Sequence, residues 1–381
     1  MAIASGLSRS ALAFRLLSPQ VVAPRASKFP GSIQVSAVIF VGRGTTRRNC
    51  SFVSMQSSLD TPPLIDVDCN LMHIDLQRFR IDSLVNDKSL ATPLDILLQD
   101  AVQEQNIVGI LSPSSTIEEA KASAHVLQQV PLDTLVIRST VGVHPYHIND
   151  DNLRDKSLEQ HMEIAKDLLR SKPVLFTAVG ECGLDASEGF PPVASQIPWF
   201  QAQIEIAEEL QLPLFVHERL AFDATMDLLQ DVNVPIIIHC FTGSSGELQA
   251  YIKRGYSVSI SGFIFKEEAA GICECLRDGV VPLDKLMIET DAPYMGFAGC
   301  RDRFVAKNDA FVQTLNSKKR KRLLNSTYPN VPSSLPAIFM KVLEEMNTGR
   351  TQRGCASLSG YEMALHLNRN ANGFFKFGLD M

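Results

Sequence analysis

The sequence predicts an α/β fold, a TIM (β/α)8 barrel with a C-terminal insertion and helices. Short β-branched runs alternate with helix-length segments from Leu64 onward, there are eight such runs, and polar side chains suited to metal binding recur at their C-terminal ends. An open, doubly wound sheet is the alternative arrangement of the same elements. Residues 60–381 are read as a single barrel domain, since such barrels run to about 250 residues.

The stretch before the first run differs in composition. Residues 1–59 hold seven Lys or Arg, eleven Ser and no Asp or Glu, which is the make-up of a transit peptide. They are expected to be disordered and to address the chain to a chloroplast, with the mitochondrion as alternative. From residue 60 onward 29 basic residues face 42 acidic ones, a net charge of −13. A surface this acidic is no general polyanion binder, so a nucleic acid would need a local basic patch or bound cations. The eight cysteines lack CxxC spacing and read as small buried residues, not as a disulfide framework or zinc ribbon. No apolar run approaches the roughly 18 residues of a membrane span.

The eight expected strands are Leu64 to Leu71, Ile107 to Leu111, Thr134 to Val143, Val174 to Glu181, Leu214 to His217, Val234 to Cys240, Tyr256 to Ser261 and Leu286 to Thr290. Helix starts lie between them: Ser115 with Glu118, and Ser244 with Glu247, have capping-box spacing. The segment from Trp199 to Leu210 has apolar spacing of three and four, with its aromatic residues assigned to the core. Residues 297–332 lack periodicity and carry Lys318-Lys319-Arg320-Lys321-Arg322, read as an inserted basic loop. Its functional alternative is a phosphate-contacting flap. Helical pattern resumes at Leu335 to Met346 and Tyr361 to Phe375.

Chemistry collects at the strand ends. Asp66, Asp68 and Asn70 are spaced by two and so expected on one face of the first strand. The third strand leads to His144 and His147, the fourth to Glu181 in a tight turn between two glycines, the fifth to His217, the sixth to His239 and the eighth to Asp291. One buried imidazole after an apolar run is ordinary core chemistry when hydrogen-bonded. Glu, His, His and Asp arriving together at equivalent strand ends are satisfied jointly by a divalent metal.

The motifs Ala178-Val179-Gly180-Glu181-Cys182-Gly183-Leu184-Asp185, Leu212-Pro213-Leu214-Phe215-Val216-His217, His239-Cys240-Phe241-Thr242-Gly243-Ser244 and Ile288-Glu289-Thr290-Asp291-Ala292-Pro293-Tyr294 resemble, in order, those of the TatD-related metal-dependent deoxyribonucleases of the amidohydrolase superfamily. The resemblance runs from about Leu64 to Phe375. It implies Glu181, His217, His239 and Asp291 as metal ligands, Glu181 bridging two ions, with His144 of the Gly-x-His-Pro element in contact with substrate or water. The family's opening His-x-His corresponds to Asp68 and Asn70 here, a harder donor pair that favours Mg or Mn over Zn. Its Gly-x-His-Pro-His element reads His144-Pro145-Tyr146, with His147 one place late, and its Arg-Asn-Glu-Pro element is reduced to Asn330-Val331-Pro332.

The leading expectation is therefore a DNA phosphodiesterase acting from 3′ ends with two divalent cations. Glu181, Asp291 and His144 would be catalytic, and Arg219 and His147 would contact substrate, Arg219 having an alternative role paired to Glu218 or a helix neighbour. DNA is the expected partner; neither a membrane nor an obligate protein partner is indicated. A metal-dependent amidohydrolase or esterase of a small molecule, and a non-catalytic binding protein with a decayed metal site, are the rival readings.

Overall fold

The computed structural model describes residues 62–77, 94–130, 134–307, 313 and 316–379. The transit-peptide and localisation expectations, and Cys50, lie outside them. Eight strands form one sheet in sequence order: β1 Leu64–Asp66, β2 Ile107–Ser112, β3 Val136–Val141, β4 Phe176–Asp185, β5 Leu214–Arg219, β6 Ile236–Ile238, β7 Ser257–Ile260 and β8 Leu286–Ile288. Every neighbouring pair is parallel. Beyond β8 the chain meets β1 again. Val67 N donates to Ile288 O, Asp291 N to Asp68 O and Asn70 N to Ala292 O, and Cys69 forms a parallel bridge with Ala292. These contacts bring the first and last strands together and make the barrel, not the open sheet.

Alternation along the strands divides the side chains into two cores. Leu214 and Val216 of β5 and Ile236 and Ile238 of β6 belong to the larger cluster shared with the helices. Phe215, Ile237, Ala178, Met287 and Ile65 form a second cluster with Phe375 and Phe377 from the C-terminal segment. This second cluster fills the barrel interior. Its floor is anchored by Asn368, whose Oδ1 accepts from Ile65 N and whose Nδ2 donates to Pro63 O. The same parity continues upward, so His217 stands two residues above Phe215, His239 two above Ile237, and Glu289 and Asp291 two and four above Met287.

Several local expectations need correction. Asp66 leaves the row formed by Asp68 and Asn70: its Oδ1 and Oδ2 accept from Thr290 N and Oγ1 at 2.8 and 2.6 Å. Glu181 does not sit in a terminal turn. β4 continues through it to Asp185, with a register irregularity between Val179 and Cys182. Val174, 71% exposed, precedes this strand. The cap expected at Ser115 falls one residue later, where Thr116 Oγ1 accepts from Glu119 N while Glu119 Oε2 accepts from Ser115 N. At Ser244 and Glu247 the capping box is present.

The basic run is helical, not a loop. It lies in Ser317–Asn325, where Lys, Arg and Leu are good helix formers and their propensity prevails over the block of like charge. Leu335–Gln352 and Gly360–Phe375 are helices as expected. Among the described residues no helix is long and apolar enough to cross a membrane.

Candidate metal centre

The interior parity of the strands, broken locally at β1 and β4, delivers the candidate side chains to one cavity of about 560 Å3 at the C-terminal end of the barrel. Asn70, His144, His147, Glu181, His217, Arg219, His239 and Asp291 all line it; Asp68 lies beneath, fully buried. Two glycines allow β4 to carry Glu181 there. Gly180 and Gly183 have φ of +146° and +139°, and a Cβ on them would fall 2.4 Å from Phe215 O and 1.9 Å from His217 O. The helix Val193–Leu210 holds the strand ends through two buried glutamines absent from the sequence reading. Gln196 exchanges hydrogen bonds with the Asp185 backbone, and Gln203 with that of Val143 beside His144.

Glu181 is the centre. Its Oε1 lies 2.8 Å from His239 Nε2, 3.2 Å from His217 Nδ1 and 3.4 Å from His144 Nε2. Burial pushes its carboxyl up, but the imidazoles of His144, His239 and His217 outweigh this and hold it well below the usual carboxylate range. His217 is oriented from behind by Asp185, whose Oδ2 is 2.8 Å from Nε2. With Nε2–H donated to Asp185, Nδ1 of neutral His217 turns its lone pair towards Glu181, as a metal-ligating histidine does.

His144 differs. Its Nδ1 accepts from Tyr146 N at 3.1 Å, which leaves the proton on Nε2, facing Glu181. Burial pushes its pKa down to about 3, so the ring is neutral at ordinary pH. It offers a donor N–H to the cavity, a role suited to an oxygen of substrate or water. Asn70 also presents N–H groups: Nδ2 lies 3.1 Å from Asp291 Oδ1 and 3.3 Å from Asp68 Oδ1. In this arrangement its carbonyl oxygen is not the atom turned to the carboxylates.

Negative charge is in excess here. Asp68, Glu181, Glu289 and Asp291 are all buried around His239. His239 Nδ1 is 3.0 Å from Asp68 Oδ2 and 3.7 Å from Glu289 Oε1, ion-pair distances, yet none of these three atoms has a hydrogen-bond partner. Orphaned donors and acceptors in a buried, carboxylate-rich site cost free energy that a cation would recover. Two groups have polar atoms close enough to surround an ion: His144, Glu181 and His217, and Asp68, His239 and Glu289; in the first, Glu181 and His217 offer the lone pairs while His144 presents its Nε2–H. The donor set thus fits divalent cations. Glu289 was missed in the sequence because its motif was read for Asp291 alone.

Asp291 and Cys240 adopt left-handed backbone conformations, φ +49° and +44°, uncommon for residues with a Cβ. Hydrogen bonds from Asp291 N to Asp68 O and from Cys240 N to Ser259 Oγ hold them there. Burial, with Glu289 and Glu181 nearby, outweighs the pull of His239 and pushes the Asp291 carboxyl up to about 7.

Arg219 is not paired with Glu218. The Glu218 carboxylate accepts from Ala221 N and Tyr251 Oη instead, and Arg219 Nε is buried with no hydrogen-bond partner. It is the only Lys or Arg in the cavity wall among the described residues. His147 reaches the cavity while its Nδ1 lies 2.8 Å from Asp150 Oδ2. Tyr146 and Phe190 form an aromatic edge beside it, their ring centroids 5.3 Å apart. Asn330 supports the wall without entering it: it is fully buried, and its Nδ2 donates to Thr290 O.

Known proteins share both sequence and fold. The family model for TatD related DNase matches residues 70–371. The chain is 35% identical over 196 residues to the 3'-5' ssDNA/RNA exonuclease TatD of Yersinia pseudotuberculosis, covering 51% of this chain and 71% of that protein. The protein of the same description from Salmonella typhimurium is 35% identical over 193 residues, covering 50% and 69%. Crystal structures of a hydrolase TatD family protein from Entamoeba histolytica and of a TatD homologue from Escherichia coli K12 share the fold. Their TM-scores are 0.60 and 0.59 at 19% and 22% identity, over 83% and 82% of this chain and 98% of each of theirs. The ordered motifs, the eight-stranded barrel and a family match across most of its length lead to one conclusion: the chain belongs to the TatD-related DNase family.

Proposed function

We propose that this protein is a divalent-metal-dependent nuclease that removes nucleotides from the 3′ ends of single-stranded DNA or RNA. The observation that carries the reading is the surplus of buried carboxylates around His217 and His239, set beside the partnerless Arg219. A cation site alone would serve many hydrolases; a guanidinium in its wall is the group that recognises a phosphate bidentately. The curated relatives described as 3'-5' ssDNA/RNA exonucleases support the choice of substrate.

Glu181, His217, His239, Asp291, Asp68 and Glu289 would hold the cations. Divalent cations held there would supply Lewis-acid chemistry, making bound water a better nucleophile and offsetting charge on the phosphate oxygens. The remaining roles belong to the chain itself. Asp185 keeps His217 in the tautomer that faces Glu181. Arg219 binds a non-bridging phosphate oxygen, and His144 Nε2–H donates to a second one. Asp291, whose carboxylate borders the cavity, would accept a proton from the attacking water. Mg or Mn is the expected metal, because oxygen donors outnumber the imidazoles.

The experiment is release of mononucleotides from 5′-labelled single-stranded oligonucleotides by the full chain, with and without Mg or Mn. Activity should require the cation and vanish in Glu181→Ala. Full activity in that variant would show that the centre lies elsewhere. Turnover of amides or lactones with none of DNA or RNA would establish the small-molecule reading, and the absence of any bound or activating divalent ion would establish the decayed-site reading.

A further inference from the structure

Lys318-Lys319-Arg320-Lys321-Arg322 is the longest basic run in the sequence, and the metal-centred cavity does not use it. The run sits in the helix Ser317–Asn325, which contains no acidic residue, and Lys318 and Lys321 are exposed. Three residues beyond the helix the chain reaches Tyr328, so the end of the helix is within about 10 Å of that residue even at full extension. Tyr328 in turn lies beside Tyr294, with ring centroids 6.3 Å apart, and Tyr294 is part of the cavity wall. Both residues are close to half exposed, at 44% and 46%.

This segment is tied down. Tyr328 Oη donates to Asp75 Oδ2 at 2.5 Å, and the Arg301 guanidinium donates to the carbonyls of Ser326, Tyr328 and Pro329. Tyr328 is thus held through its hydroxyl and its backbone. Along the chain, the helix of positive charge leads into Tyr328, which stands beside Tyr294 of the cavity wall. Base faces stack on aromatic rings, and phosphates pair with cations, so this order suits one class of ligand, an unpaired nucleic acid strand. In a chain whose charge from residue 60 onward is −13, the patch stands against the general surface.

We propose that Tyr294, Tyr328 and the helix Ser317–Asn325 form a track for single-stranded nucleic acid, which holds the part of the substrate upstream of the nucleotide in the cavity. The inference rests on the nuclease reading only for what happens at the cavity end; the track binds whether or not cleavage follows. Unpaired bases are required because a duplex turns its base faces inward.

The test is fluorescence anisotropy of the full chain with labelled oligonucleotides of four and twenty nucleotides and a blunt duplex, in EDTA to prevent cleavage, across a salt series. The wild type should bind the twenty-mer far better than the four-mer or the duplex. Lys318→Glu/Lys321→Glu should weaken twenty-mer binding about tenfold and reduce the log–log salt slope by about 1.4, the value for two phosphate contacts on a single strand. Tyr328→Ala should weaken it about tenfold with the slope unchanged, and Tyr328→Trp should restore it. Unaltered affinity in the charge-reversal variant, equal binding of duplex and single strand, or no binding of the twenty-mer by wild type would each overturn the track. Failure of the nuclease reading appears separately, as a wild type that binds the twenty-mer and releases no nucleotides with Mg or Mn.

Discussion

Asp185→Asn is the sharpest probe of the centre, because it alters a group behind the candidate ligands and not a ligand itself. Asp185 Oδ2 is 2.8 Å from His217 Nε2, while Oδ1 accepts from Ser187 N at 2.7 Å. Asn preserves the shape and one acceptor but removes the charge. It can also turn its NH2 towards Nε2, which would favour the tautomer with the proton on Nδ1, facing Glu181. A hydrogen bond to a charged group contributes about 1.5–3 kcal/mol. Loss of a carboxylate behind a metal-ligating histidine typically costs 10–100-fold in metal affinity or activity, which is about 1.4–2.7 kcal/mol, so two independent routes agree. Titration calorimetry with Mn should show Kd rising 10- to 100-fold, and the cation concentration giving half-maximal nuclease activity should rise in parallel. Thermal unfolding without cation should change far less than unfolding with it. A variant with wild-type Mn affinity would refute the reasoning and leave the Asp185–His217 contact as packing alone.

Two further outcomes follow from the same geometry. Arg219→Ala should raise KM for oligonucleotides 10- to 100-fold with the fold intact, and Arg219→Lys should recover only part, since an ammonium lacks the planar fork; a KM unchanged in Arg219→Ala would remove it from phosphate recognition. The pH dependence also has a definite sign. Burial raises Asp291 to about 7. Burial lowers His217 and His239, but the carboxylates of Asp185 and Glu181 for the first, and of Glu181 and Asp68 for the second, more than reverse this and leave both raised. All three groups must lose their protons to bind a cation, so affinity should increase with pH through about 7 and each binding event at pH 6.5 should release at least one proton. Calorimetry in two buffers of different ionisation heat measures that number, and buffer-independent heats at pH 6.5 would contradict the assignment.

The barrel and most of the centre are legible in the chain because both depend on a local rule. Side chains alternate along a strand whatever lies across from it, so Phe215 with His217 and Ile237 with His239 announce an apolar interior that becomes polar at its upper end. The count of strands and the helix signals at Ser244 and at Leu335 are local in the same sense. The basic run shows where a local rule misleads: charge density suggested a loop, whereas the propensity of its residues made a helix.

Partner choice was beyond sequence reading. Asp185 and His217 are 32 residues apart, Asp66 and Thr290 are 224 apart, and no spacing announces either pair. Tertiary structure alone decided that Asp66 braces β8 and leaves the cavity row, that Asn70 turns N–H groups to Asp291 and Asp68, and that Glu218 takes Tyr251 and so leaves Arg219 for the cavity. On β5, β6 and β8 the sequence by itself determined which side chains rise on the inner face of the barrel, since strand geometry repeats every two residues; on β1 and β4 a local irregularity shifts the row, and the chain alone does not announce it. The tertiary structure decided what each of them meets, since hydrogen bonds and charge act through space between strands and carry no record of distance along the chain.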